Sequence, residues 1–135
     1  ANTVGQWGQI AKIRHRTLAA GGVAMVAGGV GAAVVAPGLL RLVFGDEVDL
    51  TGAECGALAA GSIAALTTLG LTFVQMTDGA GRRVLTSWLV ALVVGVLAMA
   101  VLPLDPLPRV VLTFLACQLT GLALMALLDE TAVRW

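Results

Sequence analysis

The chain has 135 residues, of which 59% are hydrophobic and only 12% are charged, and its eight basic and eight acidic residues cancel. A soluble domain of ordinary composition carries about 25% charged residues. This chain therefore has too few charges to cover a surface in water, and its composition indicates a membrane protein with a single domain.

Four segments contain no Lys, Arg, Asp, Glu or His, and each is long enough to cross a bilayer as a helix. They are residues 17–40, 55–77, 84–104 and 110–128, with lengths of 24, 23, 21 and 19 residues. A hydrocarbon core about 30 Å thick needs about 20 helical residues. We therefore predict an all-α integral membrane protein with a cytoplasmic tail at residues 1–16 and a four-helix transmembrane domain at residues 17–135. The first segment is longer than the apolar core of a signal peptide, so we expect it to be retained.

The basic residues predict which ends of the spans face the cytoplasm. Arg41 and Arg109 lie on one side of the predicted spans, and six basic residues lie on the other: Lys12, Arg14, Arg16, Arg82, Arg83 and Arg134. Because short cytoplasmic loops carry an excess of Lys and Arg, we expect both termini to be cytoplasmic. Arg outnumbers Lys seven to one, and Ala, Gly, Val and Leu dominate. This bias favours a GC-rich bacterial genome, and we expect a location in the bacterial plasma membrane.

The loops between the later spans are short. The segment "TDGAGRR" (residues 77–83) contains two glycines, Gly79 and Gly81, that can adopt the left-handed backbone conformation that ends a helix. The segment "PLDPLPR" (residues 103–109) contains three prolines. Such short connections predict antiparallel neighbours, so we expect two antiparallel hairpins in which span 3 lies beside both span 2 and span 4.

The connection between the first two spans contains three further signals. Pro37 is expected to bend or end the first helix. The motif "TGAE" has the form of a capping box, in which Thr51 is the N-cap and Glu54 bonds back to it. A calcium site formed by Asp46, Asp49 and Glu54 is the alternative, because hard cations prefer oxygen ligands.

Small residues repeat every four positions in the first two spans. The stripe in the first span is Ala20, Ala24, Gly28, Ala32 and Ala36, with Gly21, Gly29 and Ala33 beside it; the stripe in the second is Ala57, Gly61 and Ala65, with Gly56 and Ala60 beside it. Small residues let helices approach closely in lipid, where packing drives association. We predict that these stripes form a helix-packing interface, either between spans 1 and 2 of one subunit or with another subunit.

The four segments contain no ionisable side chain other than two thiols, Cys55 and Cys117. Ionisable groups inside a membrane usually mark function, because burying one costs about 2.5–3.5 kcal/mol or more. We therefore predict no catalytic residue, no metal site and no cofactor, and the chain is not expected to be an enzyme. The two thiols lie at different depths, so a disulfide between them is not expected.

Two amides, Gln75 and Gln118, lie within the predicted spans. An amide there should find a hydrogen-bond partner on another helix, and lining a substrate path is the alternative role. Taken together, the sequence predicts a non-catalytic accessory or scaffold subunit of a larger bacterial membrane complex. A small oligomeric transporter, channel or lipid-carrier flippase is the alternative. The expected partners are the lipid bilayer and other membrane subunits, or further copies of the chain, with no nucleic acid.

Overall fold

The computed structural model describes residues 3–47, 49–77 and 79–132, which form helices and short connections without a strand. The four long helices are α1 (Thr3–Phe44), α2 (Gly52–Thr77), α3 (Gly81–Val101) and α4 (Pro106–Ala132). Four stretches are long and apolar enough to cross a membrane: His15–Glu47, Gly52–Thr77, Gly81–Val101 and Pro106–Leu127. The prediction of an all-helical chain with four candidate membrane spans is therefore confirmed.

The first helix is longer than the sequence suggested at both ends. Residues 3–16, which form the described part of the predicted tail, belong to α1 and continue directly into the first span. The helix does not end at Pro37 but runs through it to Phe44, about two turns further. Proline is tolerated inside membrane helices because neighbouring groups and local adjustments satisfy the backbone that it disrupts.

Glycine ends both α1 and α2. Gly45 has a φ of 70° and begins a short 3-10 turn over Gly45–Glu47, and Gly79 has a φ of 74° after the end of α2. Glycine adopts such positive φ values without steric cost. The predicted turn after the second span is therefore confirmed at Gly79, whereas Gly81 begins α3. The fourth helix starts at Pro106, a position where a missing N–H removes no intrahelical bond.

The capping box at the start of α2 is confirmed. The Thr51 amide donates to Glu54 Oε2 at 2.8 Å, and the Glu54 amide donates to Thr51 Oγ1 at 3.3 Å. The Asp49 carboxylate is paired with Arg41 at 3.0 Å. The described residues include no group of three or more His, Cys, Asp or Glu side chains placed to hold a metal ion, so the geometry favours the capping role of Glu54 over the calcium alternative.

The helices do not all pack against their neighbours in the chain. α2 packs against α1 and α4, α3 packs mainly against α4, and α2 touches α3 much less. The expectation that span 3 lies beside span 2 is therefore replaced by an arrangement in which α4 occupies that surface. At this contact Gly61 of α2 lies against the ring of Phe114 of α4.

A small apolar cluster defines one end of the molecule. Leu71, Val84 and Met125 are buried together, and Leu18 packs against them. The cluster brings together the first span of α1, the end of α2, the start of α3 and the later part of α4. We call this the basic end, because exposed basic side chains lie on the adjoining turns of α1 and α3: Lys12, Arg16, Arg82 and Arg83. Arg14 and Arg134, which the sequence assigns to the same side, lie outside the described side chains.

Candidate functional site

The backbones of α1 and α2 approach each other closely at several glycines. A Cβ built on Gly56 would lie 2.8 Å from the carbonyl oxygen of Gly29 and 3.1 Å from the Cβ of Ala33. A Cβ built on Gly52 would lie 2.6 Å from the carbonyl oxygen of Ala33. Real Cβ atoms essentially never come closer than 3.0 Å to another heavy atom, so the two backbones meet here because glycine has no side chain.

The contact continues toward the basic end. Gly21 is buried against the side chain of Thr67, where an added Cβ would lie 2.6 Å from both branches of the threonine. The two helices are antiparallel, since Gly21 contacts Thr67 near one end of the interface and Ala33 contacts Gly52 near the other. We call this surface the small-residue contact; it consists of Gly21, Gly29 and Ala33 in α1, and of Gly52, Gly56, Ala60 and Thr67 in α2.

The small-residue contact lies beside the stripe that the sequence singled out in α1. Of that stripe, Gly28 lies against the side chain of Ile63, Ala32 and Ala36 are half-buried, and Ala20 and Ala24 are exposed. Four residues of an α-helix overshoot a full turn by about 40°. A stripe with a strict spacing of four therefore winds around the helix, and only part of it can face α2.

The corresponding stripe in α2 is shared between two neighbours. Gly61 is buried against α4, where an added Cβ would lie 2.6 Å from Cε1 of Phe114. Ala57 and Ala65 are half-buried. Ala60, which lies beside them, faces α1: a Cβ built on Gly29 would lie 3.5 Å from the Cβ of Ala60. α2 is therefore the central helix, with one face for α1 and another for α4.

The contact between α3 and α4 is less close. An added Cβ on Gly95 would lie 3.3 Å from the Cβ of Cys117, and one on Gly121 would lie 3.5 Å from the Cβ of Ala91. Both distances involve side-chain atoms rather than backbone, unlike the contacts of Gly52 and Gly56. Cys117 and the buried Cys55 of α2 are both free thiols.

The buried polar groups of α2 are mostly satisfied within their own helix. The hydroxyls of Thr68 and Thr72 donate to carbonyls one turn earlier, at 2.8 and 2.9 Å. Gln75 differs, because its Nε2 donates to the Met125 carbonyl of α4 at 3.2 Å. Gln118 is half-buried and takes part in no side-chain hydrogen bond between described residues. Of the two amides that the sequence singled out, Gln75 thus links two helices and Gln118 does not.

Sequence reasoning missed one buried polar group. The Ser87 side chain is only 1% exposed, and its hydroxyl has no hydrogen-bond partner among the described residues. Ser87 lies three residues after Val84 and four before Ala91, which are also buried in α3. This helical spacing could have identified Ser87 as an inward-facing residue. Its lack of a partner is visible only in the tertiary structure.

The side of α1 opposite the small-residue contact is open. Val23, Val30 and Val34 are exposed there by 71%, 62% and 77%. A Cβ built on Gly31 or Gly38 would meet nothing within 4 Å. Among the described helices α1 packs along its length against α2, and Leu18 packs against the apolar cluster at the basic end. We call this surface the outer face of α1.

The groups buried between the helices limit the chemistry of the described region. The fully buried polar side chains are hydroxyls and one amide, namely Thr67, Thr68, Thr72, Ser87 and Gln75. Arg109 of α4 is half-buried, and its Nε has no hydrogen-bond partner among the described residues. Buried hydroxyls and amides pack helices together and form hydrogen bonds, so the candidate site is a set of packing surfaces. No protein-family model matches the chain, and neither does a curated protein or a solved structure.

Proposed function

We propose that this chain is a non-catalytic accessory or scaffold subunit of a larger protein complex in the bacterial plasma membrane. We further propose that it docks through the outer face of α1. One observation supports this role above the others: α1 is attached to the rest of the chain on one side only, and its opposite side is exposed along the span.

The composition of the outer face favours a protein partner over lipid. Gly31 and Gly38 leave the helix backbone open on this side, and small residues allow another helix to approach a backbone closely. The exposed side of α3 is different, since it carries large apolar residues such as Leu85, Leu89 and Leu92. Those side chains suit contact with hydrocarbon chains, whereas an exposed glycine gains little from lipid.

The proposed topology pairs α1 with α2 and α3 with α4 in two antiparallel hairpins, with both termini in the cytoplasm. Two observations support it. The sequence concentrates six of its eight basic residues on one side of the predicted spans, and the apolar cluster around Leu71 joins the corresponding parts of all four helices. Because Lys and Arg are retained in the cytoplasm, the basic end is the cytoplasmic end in this proposal.

Purification from the native membrane in mild detergent tests the role, with Gly31→Leu as the decisive variant. The variant should keep the thermal stability of the wild type, because the space around Gly31 is open, and it should lose the partner subunits that accompany the wild-type chain. Ala100→Leu on the exposed side of α3 is the matched control and should retain them. A full set of partners with Gly31→Leu, or a wild-type chain that purifies without any other protein, would overturn the proposal.

A second candidate is a small oligomeric transporter, channel or lipid-carrier flippase. The observation that favours it is the row of buried polar side chains in α2, where Thr72 and Gln75 face Met125 of α4. A small-molecule path needs such groups inside a bundle. The same purification separates the two candidates, because a stable assembly made of this chain alone favours the transporter.

A further inference from the structure

An apolar groove opens at the basic end, between the first turns of α1 and the last turns of α2. It has a volume of about 340 Å³ and is lined by Ile13, Phe73, Val74 and Thr77. Ile13 is 54% exposed and Phe73 is 65% exposed. The hydroxyl of Thr77 donates to the Val74 carbonyl at 2.7 Å, so the polar group of the lining is directed to its own helix. The groove therefore presents a hydrocarbon surface.

Two exposed basic side chains lie within one helical turn of Ile13 in α1. Lys12 directly precedes Ile13, and Arg16 follows it by three residues; both are exposed. Residues three apart in a helix are neighbours on its surface, so the Arg16 side chain starts one turn from the groove. The sequence around the basic end carries six basic and three acidic residues, whereas the opposite end carries two basic and five acidic ones. The groove thus lies at the end with positive net charge.

We propose that the groove binds one acyl chain of an anionic phospholipid, whose phosphate contacts Lys12 and Arg16. Basic pockets between transmembrane helices are sites for anionic headgroups, and the groove adds a surface for the chain attached to that headgroup. The proposal does not depend on the docking role of α1, since it uses a different surface.

Native mass spectrometry of the delipidated full-length chain in detergent tests the proposal. The added lipids are dioleoyl phosphatidylglycerol and dioleoyl phosphatidylcholine, which share their acyl chains and differ in net charge. We expect the wild type to bind one phosphatidylglycerol more tightly than phosphatidylcholine. The double variant Lys12→Gln/Arg16→Gln should weaken phosphatidylglycerol binding by about fivefold for each basic residue removed, and it should weaken phosphatidylcholine binding less, because the choline cation offsets the charge of that lipid's phosphate.

The matched control is Arg82→Gln/Arg83→Gln, which removes the same charge from the start of α3 and should change binding by less than twofold. An equal loss of phosphatidylglycerol binding in both double variants would overturn the proposal, because it would indicate that the lipid is attracted to the positive charge of the basic end as a whole. Equal binding of the two lipids would also overturn it.

Two further measurements test the acyl-chain part. Val74→Phe places a larger side chain in the groove and should weaken the binding of both lipids, in a protein whose thermal stability is first shown to match the wild type. If Val74→Phe is unstable, competition by glycerol phosphate in the wild type tests instead whether the acyl chain contributes to binding. This headgroup without acyl chains should not compete with phosphatidylglycerol at equal concentration, and effective competition would show that the groove is not used.

Discussion

Gly56 of α2 lies against the backbone of Gly29 of α1, so that a Cβ on Gly56 would sit 2.8 Å from the Gly29 carbonyl oxygen. The obstacle is a backbone atom, which cannot move away by a change of rotamer. This distinguishes the pair from Gly28 and Ile63, where the obstacle is the end of a flexible side chain. The relationship identifies Gly56 as a position where the contact between α1 and α2 is sensitive to added volume.

Gly56→Ala should therefore destabilise the protein. The added methyl group requires α1 and α2 to separate, and overpacking of this kind typically costs about 1–3 kcal/mol. Gly70→Ala in the same helix is the control, because its Cβ would meet nothing within 4 Å, and its stability should equal that of the wild type or exceed it slightly. Thermal unfolding in mild detergent provides the comparison. Equal stability of the two variants would contradict the close contact between α1 and α2.

Gln75→Leu should weaken the attachment of α2 to α4. The substitution removes the hydrogen bond from Gln75 Nε2 to the Met125 carbonyl, and interhelical hydrogen bonds in membrane proteins contribute about 0.6 kcal/mol on average and up to about 1.7 kcal/mol. Gln118→Leu is the control, since this side chain makes no side-chain hydrogen bond with a described residue. The measurement is the free energy of unfolding of each of the two variants in a detergent series. A larger loss for Gln118→Leu would show that Gln118 has a partner of its own in the assembled protein.

Thr51→Ala should destabilise the start of α2 by about 1 kcal/mol, the usual cost of losing an N-cap side chain. Thr51→Ser retains the hydroxyl that accepts from the Glu54 amide and should remain close to the wild type. Thermal unfolding of the three proteins, with and without calcium, completes the test. We expect no effect of calcium, and stabilisation of the wild type by calcium would favour the alternative site of Asp46, Asp49 and Glu54.

Cysteine labelling tests the proposed topology. Glu47→Cys and Gly81→Cys are placed singly in a background in which Cys55 and Cys117 are replaced by alanine. Glu47 is preferred to Gly45, because the φ of 70° at Gly45 makes any side chain there strained. An impermeant thiol reagent added to intact cells should label position 47 and not position 81. Labelling of position 81 alone would reverse the orientation, and labelling of both would contradict the number of spans.

The four candidate spans, the capping box at Thr51 and the turn at Gly79 could be predicted from the sequence because each depends on local chemistry. A span is a run of apolar residues whose transfer free energies add along the chain. A cap or a glycine turn involves residues within about one helical turn of each other. The prediction that Pro37 bends or ends the first helix was wrong about the end, because neighbouring groups can compensate for a proline inside a membrane helix.

The choice of packing partners could not be predicted in this way. All four segments are apolar, and lipid chains are as apolar as leucine, so hydropathy does not specify which helix faces meet. α4 rather than α3 packs along α2, and at that contact the Phe114 ring lies against Gly61. That Gly21 rather than Ala20 faces α2 depends on how α1 is rotated when Gly29 meets Gly56. The sequence by itself thus determined the spans and their local ends, whereas only the tertiary structure decided the contacts, because these depend on shape complementarity between segments far apart in the chain.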